Sequence, residues 1–174
     1  MAVTPLHCLF LLSLALIFSS PPVIADDLIV DTCKKTLHND LCLSILRSDP
    51  SSQKADLKGL LAIALKAANK SAADAVEHIA TLKGETTDYY VEQRLSACSE
   101  HYQDAMDQID DSEEALDSNG YSDFNTWVTA AMSDAESCED EFNDEPGHPS
   151  PLTLQNDDFN KICGITLAIA KLLS

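Results

Sequence analysis

The side chains best equipped for chemistry in this 174-residue chain are its histidines, cysteines and carboxylates, and their spacing does not favour catalysis. Four histidines (His38, His78, His101 and His148) lie beyond residue 25, and none stands in a recognisable nucleophile or general-base motif. Di-iron centres in helical bundles require Glu-x-x-His pairs on one helix face. Here Glu77-His78 and Glu100-His101 are adjacent, so on a helix the two members point to different sides. Asp117-Ser-Asn119-Gly120 begins like a calcium loop, but the glycine is misplaced and no terminal Glu follows at the required position. There is no phosphate-cradling glycine loop and no C-x-x-C. The histidines read as polar surface, and no enzyme activity, cofactor or metal site is expected. Asn69-Lys70-Ser71 makes Asn69 a candidate N-glycosylation acceptor.

The cysteines acquire meaning from the compartment. Leu9 to Phe18 is an apolar run followed by Ser19-Ser20-Pro21-Pro22 and Val23-Ile24-Ala25. This pattern predicts a signal peptide over 1–25, cut after Ala25, although no Lys or Arg precedes the run. A membrane span needs about 20 apolar residues. Neither this run nor Ile162–Leu173, which Lys171 interrupts, is long enough, so a soluble, secreted domain over 26–174 is expected. Cys8 leaves with the signal; Cys33, Cys42, Cys98, Cys138 and Cys163 remain. An odd number in an oxidising compartment reads as two disulfides and one free thiol.

The apolar set leans on Leu, Ala and Ile and only 6% of residues are aromatic, which favours helices over sheets. Residues 26–50 read as a short helical hairpin around His38-Asn39-Asp40, and 55–174 as four amphipathic helices. The first runs from Asp56 to Leu82, stopped by Lys83-Gly84. The second starts near Thr87-Asp88 and ends near Asp117, before the Asn119-Gly120 break. Ser122 is the expected N-cap of the third, whose inward stripe is Phe124, Val128, Ala131, Ala135, Cys138 and Phe142. After a linker holding Pro146, Pro149 and Pro151, Asn156 is the expected cap of the fourth, facing in through Phe159, Ile162, Leu167, Ala170 and Leu173. The simplest assembly is an all-α, up-down-up-down four-helix bundle preceded by a disulfide-closed hairpin.

That geometry pairs the cysteines. The midpoint of Cys98 and Cys138 falls at the Asn119-Gly120 turn, so antiparallel packing brings both to one level. Closing a loop of about 41 residues contributes about 4 kcal/mol in the chain-entropy treatment. Cys33 and Cys42 then close the hairpin, for about 3 kcal/mol. Cys163 is left as a buried thiol.

Charge is distributed unevenly. Between Glu85 and Glu145 there are 19 acidic residues against one basic residue, Arg94, whereas the rest of the chain balances at ten each. The formal charge of −18 therefore belongs to the second and third bundle helices and their flanks, and it excludes nucleic acid and anionic membranes as partners. Asp107/Asp111, Asp110/Glu114, Glu113/Asp117 and Glu136/Asp140 are like-charge i,i+4 pairs, each costing a few tenths of a kcal/mol. Two explanations stand: solubility in an acidic compartment, where partial protonation relieves the repulsion, or a docking face for a basic protein.

The pattern of signal peptide, Cys-x8-Cys hairpin and disulfide-linked bundle resembles the plant invertase and pectin methylesterase inhibitors. The matching stretches are Ile29 to Leu46, Asp49 to Leu60, Leu95 to Ala105, Tyr121 to Cys138 and Ile162 to Leu173. The resemblance implies a monomeric non-enzyme that binds a secreted carbohydrate-active enzyme one-to-one and blocks its active-site cleft. In the pectin methylesterase branch it implies that helix faces cover the cleft while the hairpin projects away. In the invertase branch it implies a Pro-Lys-Phe-type motif between the second and third bundle helices. That place holds Asn119-Gly-Tyr-Ser-Asp-Phe124, with neither Pro nor Lys. Cys163 in Ile-Cys-Gly-Ile resembles the unpaired cysteine of pectin methylesterase inhibitors. The Asp49 to Leu60 stretch and the closing Leu-Ala-Ile-Ala-Lys-Leu-Leu also resemble pollen proteins labelled invertase inhibitors.

The expected partner is a basic pectin methylesterase in the apoplast, with an acid invertase of wall or vacuole as the alternative. The expected contact residues are Glu92, Asp104, Asp107, Asp111 and Thr126, with Phe124 and Trp127 packed in the core. An acidic secreted bundle that binds cations or a small ligand is the reading from a different class.

Overall fold

The computed structural model describes residues 23–143 and 148–174, with side chains from residue 26. Residues 1–22 of the signal peptide expected over 1–25 lie outside the described residues, as does Pro146 of the linker. The described residues form six α-helices in order: α1 (Val23–Cys33), α2 (Asn39–Ser48), α3 (Leu57–Glu85), α4 (Tyr89–Asp117), α5 (Tyr121–Asp140) and α6 (Thr153–Ala170). A 3-10 turn, Pro50–Lys54, joins the hairpin to the bundle. It was not anticipated, but its sequence explains it: Asp49 accepts from the Ser51 backbone N–H at 2.9 Å and Pro50 is preset for a first turn.

Local chemistry fixes both ends of α4 and the start of α3. Asp56 caps α3 by accepting from Gly59 N–H at 2.8 Å, and Asp88 caps α4 by accepting from Tyr90 N–H at 2.8 Å. The C-terminus of α4 closes as a Schellman motif: Gly120 N–H bonds Ala115 O at 2.7 Å and Asn119 N–H bonds Leu116 O at 3.1 Å. Asn119, at φ 59°, takes the left-handed position rather than the glycine.

Three expected boundaries shift. α3 continues through Lys83-Gly84 to Glu85, because an exposed glycine in a last turn costs only about 1 kcal/mol. Ser122 is not a cap: the α4 turn is so tight that Gly120 precedes the first residue of α5 directly. Asn156 is not a cap either; α6 starts three residues earlier and buries it.

α3 packs on α4 and α6, and α5 on α4 and α6, closing a four-sided bundle with the hairpin laid mainly on α3. Cross-helix bonds give the directions. Lys58 reaches Asp117 O (3.3 Å) and Asn69 reaches Asp110 (3.0 Å), so α3 and α4 are antiparallel. Cys98–Cys138 and Arg94–Glu141 do the same for α4 and α5, and Asn156–Glu139 for α5 and α6. This is the expected up-down-up-down order. Both disulfides form as the spacing predicts, Cys33–Cys42 with Cα atoms 5.5 Å apart and Cys98–Cys138 at 4.6 Å. Cys163 is a buried free thiol whose pKa is pushed up by burial, which leaves it unreactive.

The α3 core stripe is small in its middle (Ala64, Ala68, Ala72, Ala75) between Leu61 and Ile79, and the facing helices bring the bulk there: Tyr102 and Phe159 meet edge-on at 5.7 Å. The α5 stripe is buried as its spacing requires. The α6 stripe is not the expected one. Asn156, Phe159, Cys163, Thr166 and Ala170 are buried at a 3-4-3-4 spacing, while Ile162, Leu167 and Leu173 are only partly covered. Two of those inward positions are polar, and skipping them misphased the helix. Asn156 is tolerated there because Tyr102 Oη donates to its Oδ1 (2.8 Å) and its Nδ2 donates to Glu139 Oε2 (2.7 Å).

Candidate functional site

The acidic residues spread over the outward arcs of α4 and α5, with Asp110, Glu113 and Asp117 turned to α3 and Glu139 to α6. On α4 the buried residues Leu95, Cys98, Tyr102, Ala105, Ile109 and Leu116 define the inward direction. Asp104, Asp107 and Asp111 occupy the opposite arc at helical spacing, whereas Glu92, five full turns before Asp110, lies on the α3 flank; all four are exposed. Thr126 is exposed on α5 and bonds only back to Ser122 O, at 3.0 Å. Every expected contact residue therefore lies at the surface, on two neighbouring helices.

The seam between these helices has a seven-residue register. On α4, Arg94, His101 and Gln108 recur at that interval; on α5, running the other way, so do Glu141, Asp134 and Trp127. The first two levels are visible in contacts. Arg94 donates to Glu141 at 3.0 Å, and the His101 ring lies 3.7 Å from Asp134 and 3.8 Å from Glu141. Arg94 also stacks 5.0 Å over the Tyr90 ring, and its pKa is raised by Tyr90 and then Glu141. The one basic residue of this half is thus engaged within the molecule, leaving the outer carboxylates without it.

At the third level the same register sets Trp127 opposite Gln108. Phe124 is fully buried as expected, but Trp127 is 39% exposed, which corrects its assignment to the core. It sits on the α4-facing flank of α5, where the inward stripe gives way to the surface. Sequence reasoning missed this because Trp127 directly precedes the inward Val128. The 127-134-141 spacing was the signal that could have separated flank from core.

Two buried oxygens in this seam, Gln108 Oε1 and Asp134 Oδ2, have no hydrogen-bond partner. Burial raises the Asp134 pKa and the Asp104 charge adds to it, while His101 and the Gln108 side chain oppose the shift. The seam consequently holds an ionisable group whose charge the surroundings resist.

Asn69, the glycosylation candidate, lies on the other side of α4. It is half-buried in α3 and donates to Asp110 Oδ1 at 3.0 Å, beside a cleft of about 690 Å³ lined by Lys54, Lys66, Lys70 and the apolar Ile63, Leu65 and Ile109. Among the described residues no group of three or more His, Cys, Asp or Glu side chains is placed to hold a metal ion. No helix among them is long and apolar enough to cross a membrane.

The chain is thus an all-α bundle with a disulfide-closed hairpin and a second disulfide between its middle helices. The family described as Plant invertase/pectin methylesterase inhibitor matches residues 27–169, and the chain belongs to it. Members of this family are inhibitors rather than catalysts, and the chain is not an enzyme.

A pectinesterase inhibitor of Actinidia deliciosa is 37% identical over 88% of this chain and 83% of its own length. The cell wall / vacuolar inhibitor of fructosidase 2 of Arabidopsis thaliana is 30% identical over 92% of this chain and 94% of its own. The fold matches a crystal structure of a mutant form of a pectin methylesterase inhibitor from Arabidopsis, with a TM-score of 0.69 over 82% of this chain and 94% of that one, at 23% identity.

Proposed function

We propose that this chain is a secreted inhibitor that loses residues 1–25, binds a basic pectin methylesterase one-to-one as a monomer, and blocks its active-site cleft with the outer face of α4 and α5. The observation that carries the reading is the placement of Asp104, Asp107, Asp111 and Thr126, all exposed on the outward arcs of two adjacent helices, with Glu92 exposed on the α3 flank of α4. Carboxylates gathered on one face accelerate encounter with a basic surface and set its orientation, and they make association sensitive to salt. The apoplast is the matching location. The 37% identical relative, a pectinesterase inhibitor by name, supports the choice of target.

The α4–α5 turn argues in the same direction. The stretch where an invertase-type motif would lie is taken up by the Schellman turn and the first turn of α5. Phe124 is fully buried there, and the half-buried Tyr121 places its hydroxyl 3.4 Å from Asn119 Oδ1. No aromatic side chain of this stretch projects for insertion into an active site. The second reading, inhibition of an acid invertase in wall or vacuole, is favoured by the 30% identical inhibitor of fructosidase. A glycan on Asn69 would stand at the α3–α4 seam, away from the α4–α5 face, so glycosylation is compatible with docking.

The deciding experiment titrates the secreted protein against a basic plant pectin methylesterase and an acid invertase near pH 5 to 6. Stoichiometric loss of esterase activity alone is expected. Loss of invertase activity alone transfers the function to sucrose cleavage, and no effect on either leaves the acidic face to be tested for calcium uptake by calorimetry.

A further inference from the structure

We infer that Trp127 is the anchor of the docking face, and that it receives a cationic side chain, Lys or Arg, of the basic enzyme. This deepens the reading above and rests on it.

Among the described residues the other large exposed apolar side chains are spread along the chain: Leu28 and Leu37 on the hairpin, Tyr89 at the start of α4, Leu154 on α6 and Leu172 after it. Trp127 differs in its surroundings. Its seven-residue register with Asp134 and Glu141 places it at the α4–α5 seam opposite Gln108. On α4 the residues four before and three after Gln108 are Asp104 and Asp111, both exposed, so they flank that level on the outer side. On α5, Asp123 lies one turn before Trp127 and Thr126 beside it, both exposed. The sole tryptophan of the chain thus stands at the α4–α5 seam with three exposed carboxylates and a hydroxyl on the neighbouring turns.

An aromatic centre inside a polar rim is the usual composition of an energetic hot spot, and tryptophan is among the residues most enriched there. The ring of acids selects what the indole face receives. A guanidinium or ammonium over the ring gains from the π face and from the carboxylates together, whereas an acidic or purely apolar group would leave those carboxylates to be desolvated without compensation. Arginine, planar and weakly hydrated, fits best. The surrounding acids accelerate encounter, and Trp127 holds the complex once formed.

The chain has one tryptophan, so labelling with 5-fluorotryptophan gives a single fluorine resonance. The full chain, secreted and labelled, is titrated with a basic pectin methylesterase while esterase activity is read in parallel. The expected result is a shift or broadening of that resonance that saturates at the same ratio as inhibition. Trp127→Ala should raise the concentration for half-inhibition by about 30-fold, the level of a hot-spot residue. Trp127→Phe, which keeps an aromatic face, should cost less than about 5-fold. Asp104→Asn with Asp111→Asn should weaken inhibition and flatten its dependence on salt. Circular dichroism and melting temperature check that each variant is folded.

If wild-type protein inhibits while the resonance stays unmoved, or if Trp127→Ala inhibits like wild type, the anchor is refuted and the inhibitor reading stands. The same holds if Phe is as damaging as Ala, because the aromatic face is then not what the partner uses. If wild-type protein inhibits no pectin methylesterase, the underlying reading fails and this inference with it.

Discussion

The two halves of the bundle share one architecture and treat charge in opposite ways. On the side of α3 and the hairpin, cations and anions answer each other: Arg47 forks onto Asp26, Lys70 onto Asp74, Lys66 onto Asp49, and Lys58 reaches the α4 C-terminus. On the side of α4 and α5 the single Arg94 is engaged by Glu141, and the outer carboxylates face water and one another. Helix packing demands nothing of outward positions, so the difference is not required by the fold. It costs stability through like-charge repulsion within and between turns. A feature that weakens the fold while leaving the core untouched points to use outside the molecule.

The largest effect separating the halves should come from the covalent link across the repelling pair. Replacing Cys98 and Cys138 together by Ser removes the constraint on the α4–α5 loop and should cost about 4 kcal/mol in denaturant unfolding. The same change at Cys33 and Cys42 should cost about 3 kcal/mol, with the local hairpin affected first. If α4 and α5 are strained by their charge, the loss at the first pair should deepen as salt is lowered, and the loss at the second should not. Equal salt dependence would show that the acidic half is no more strained than the balanced one.

Next in size is the buried polar link near that disulfide. Tyr102→Phe leaves Asn156 Oδ1 without its donor, at an expected cost of about 1–3 kcal/mol, while Glu139 keeps its bonds from Asn156 and Thr153. Replacing Asn156 by Leu as well should recover part of the loss, since an apolar pair leaves fewer unsatisfied atoms. A double-mutant cycle measures the coupling directly.

These two features were unequally legible in the sequence. The disulfide followed from periodicity, because a Schellman turn at Asn119-Gly120 fixes which residues of α4 and α5 stand level. The polar link did not, because an apolar pattern search passes over Asn156 and Thr166 and so misphases α6. Asn in front of an amphipathic segment reads as a cap, and only the tertiary partner Tyr102 explains why it is buried instead. The candidate face was visible as a charge imbalance, and helical spacing located its outward arc. Trp127 was not visible, because a residue one step from the inward stripe belongs to core or flank according to the crossing of the neighbouring helix. The 3-10 turn before α3 was likewise passed over, being too short to leave a period.

Smaller effects test whether charge serves docking at the expense of the fold. Substituting Asp107→Lys turns one like-charge i,i+4 pair with Asp111 into an attractive one and should stabilise the protein by about 0.5–1 kcal/mol. The same substitution, combined with Asp104→Lys and Asp111→Lys, should weaken esterase inhibition and remove its salt dependence. A variant that becomes both more stable and equally inhibitory would leave the acidic face as a solubility device.

The finest distinction lies in Asp134, where the seam and the acidic face meet. Burial is the main cause of its raised pKa, the Asp104 charge contributes, and His101 pulls the other way, with Glu141 facing the same ring. A carboxyl whose pKa is higher folded than unfolded binds its proton more tightly in the native state. Its contribution to stability is full below the unfolded value, near the ordinary 3.8, and is lost as pH rises through the higher folded value. At neutral pH the ionised group therefore weakens the seam; in a mildly acidic compartment part of that loss is recovered. Asp134→Asn removes the titration and supplies an amide donor beside the unpartnered Gln108 Oε1. The variant should melt higher than wild type at pH 7, and the gap should close as pH falls toward 4. A gap that is the same at both pH values would mean that packing, not the charge of Asp134, sets the strength of this seam. The acidic half would then owe its pH response to its exposed carboxylates alone.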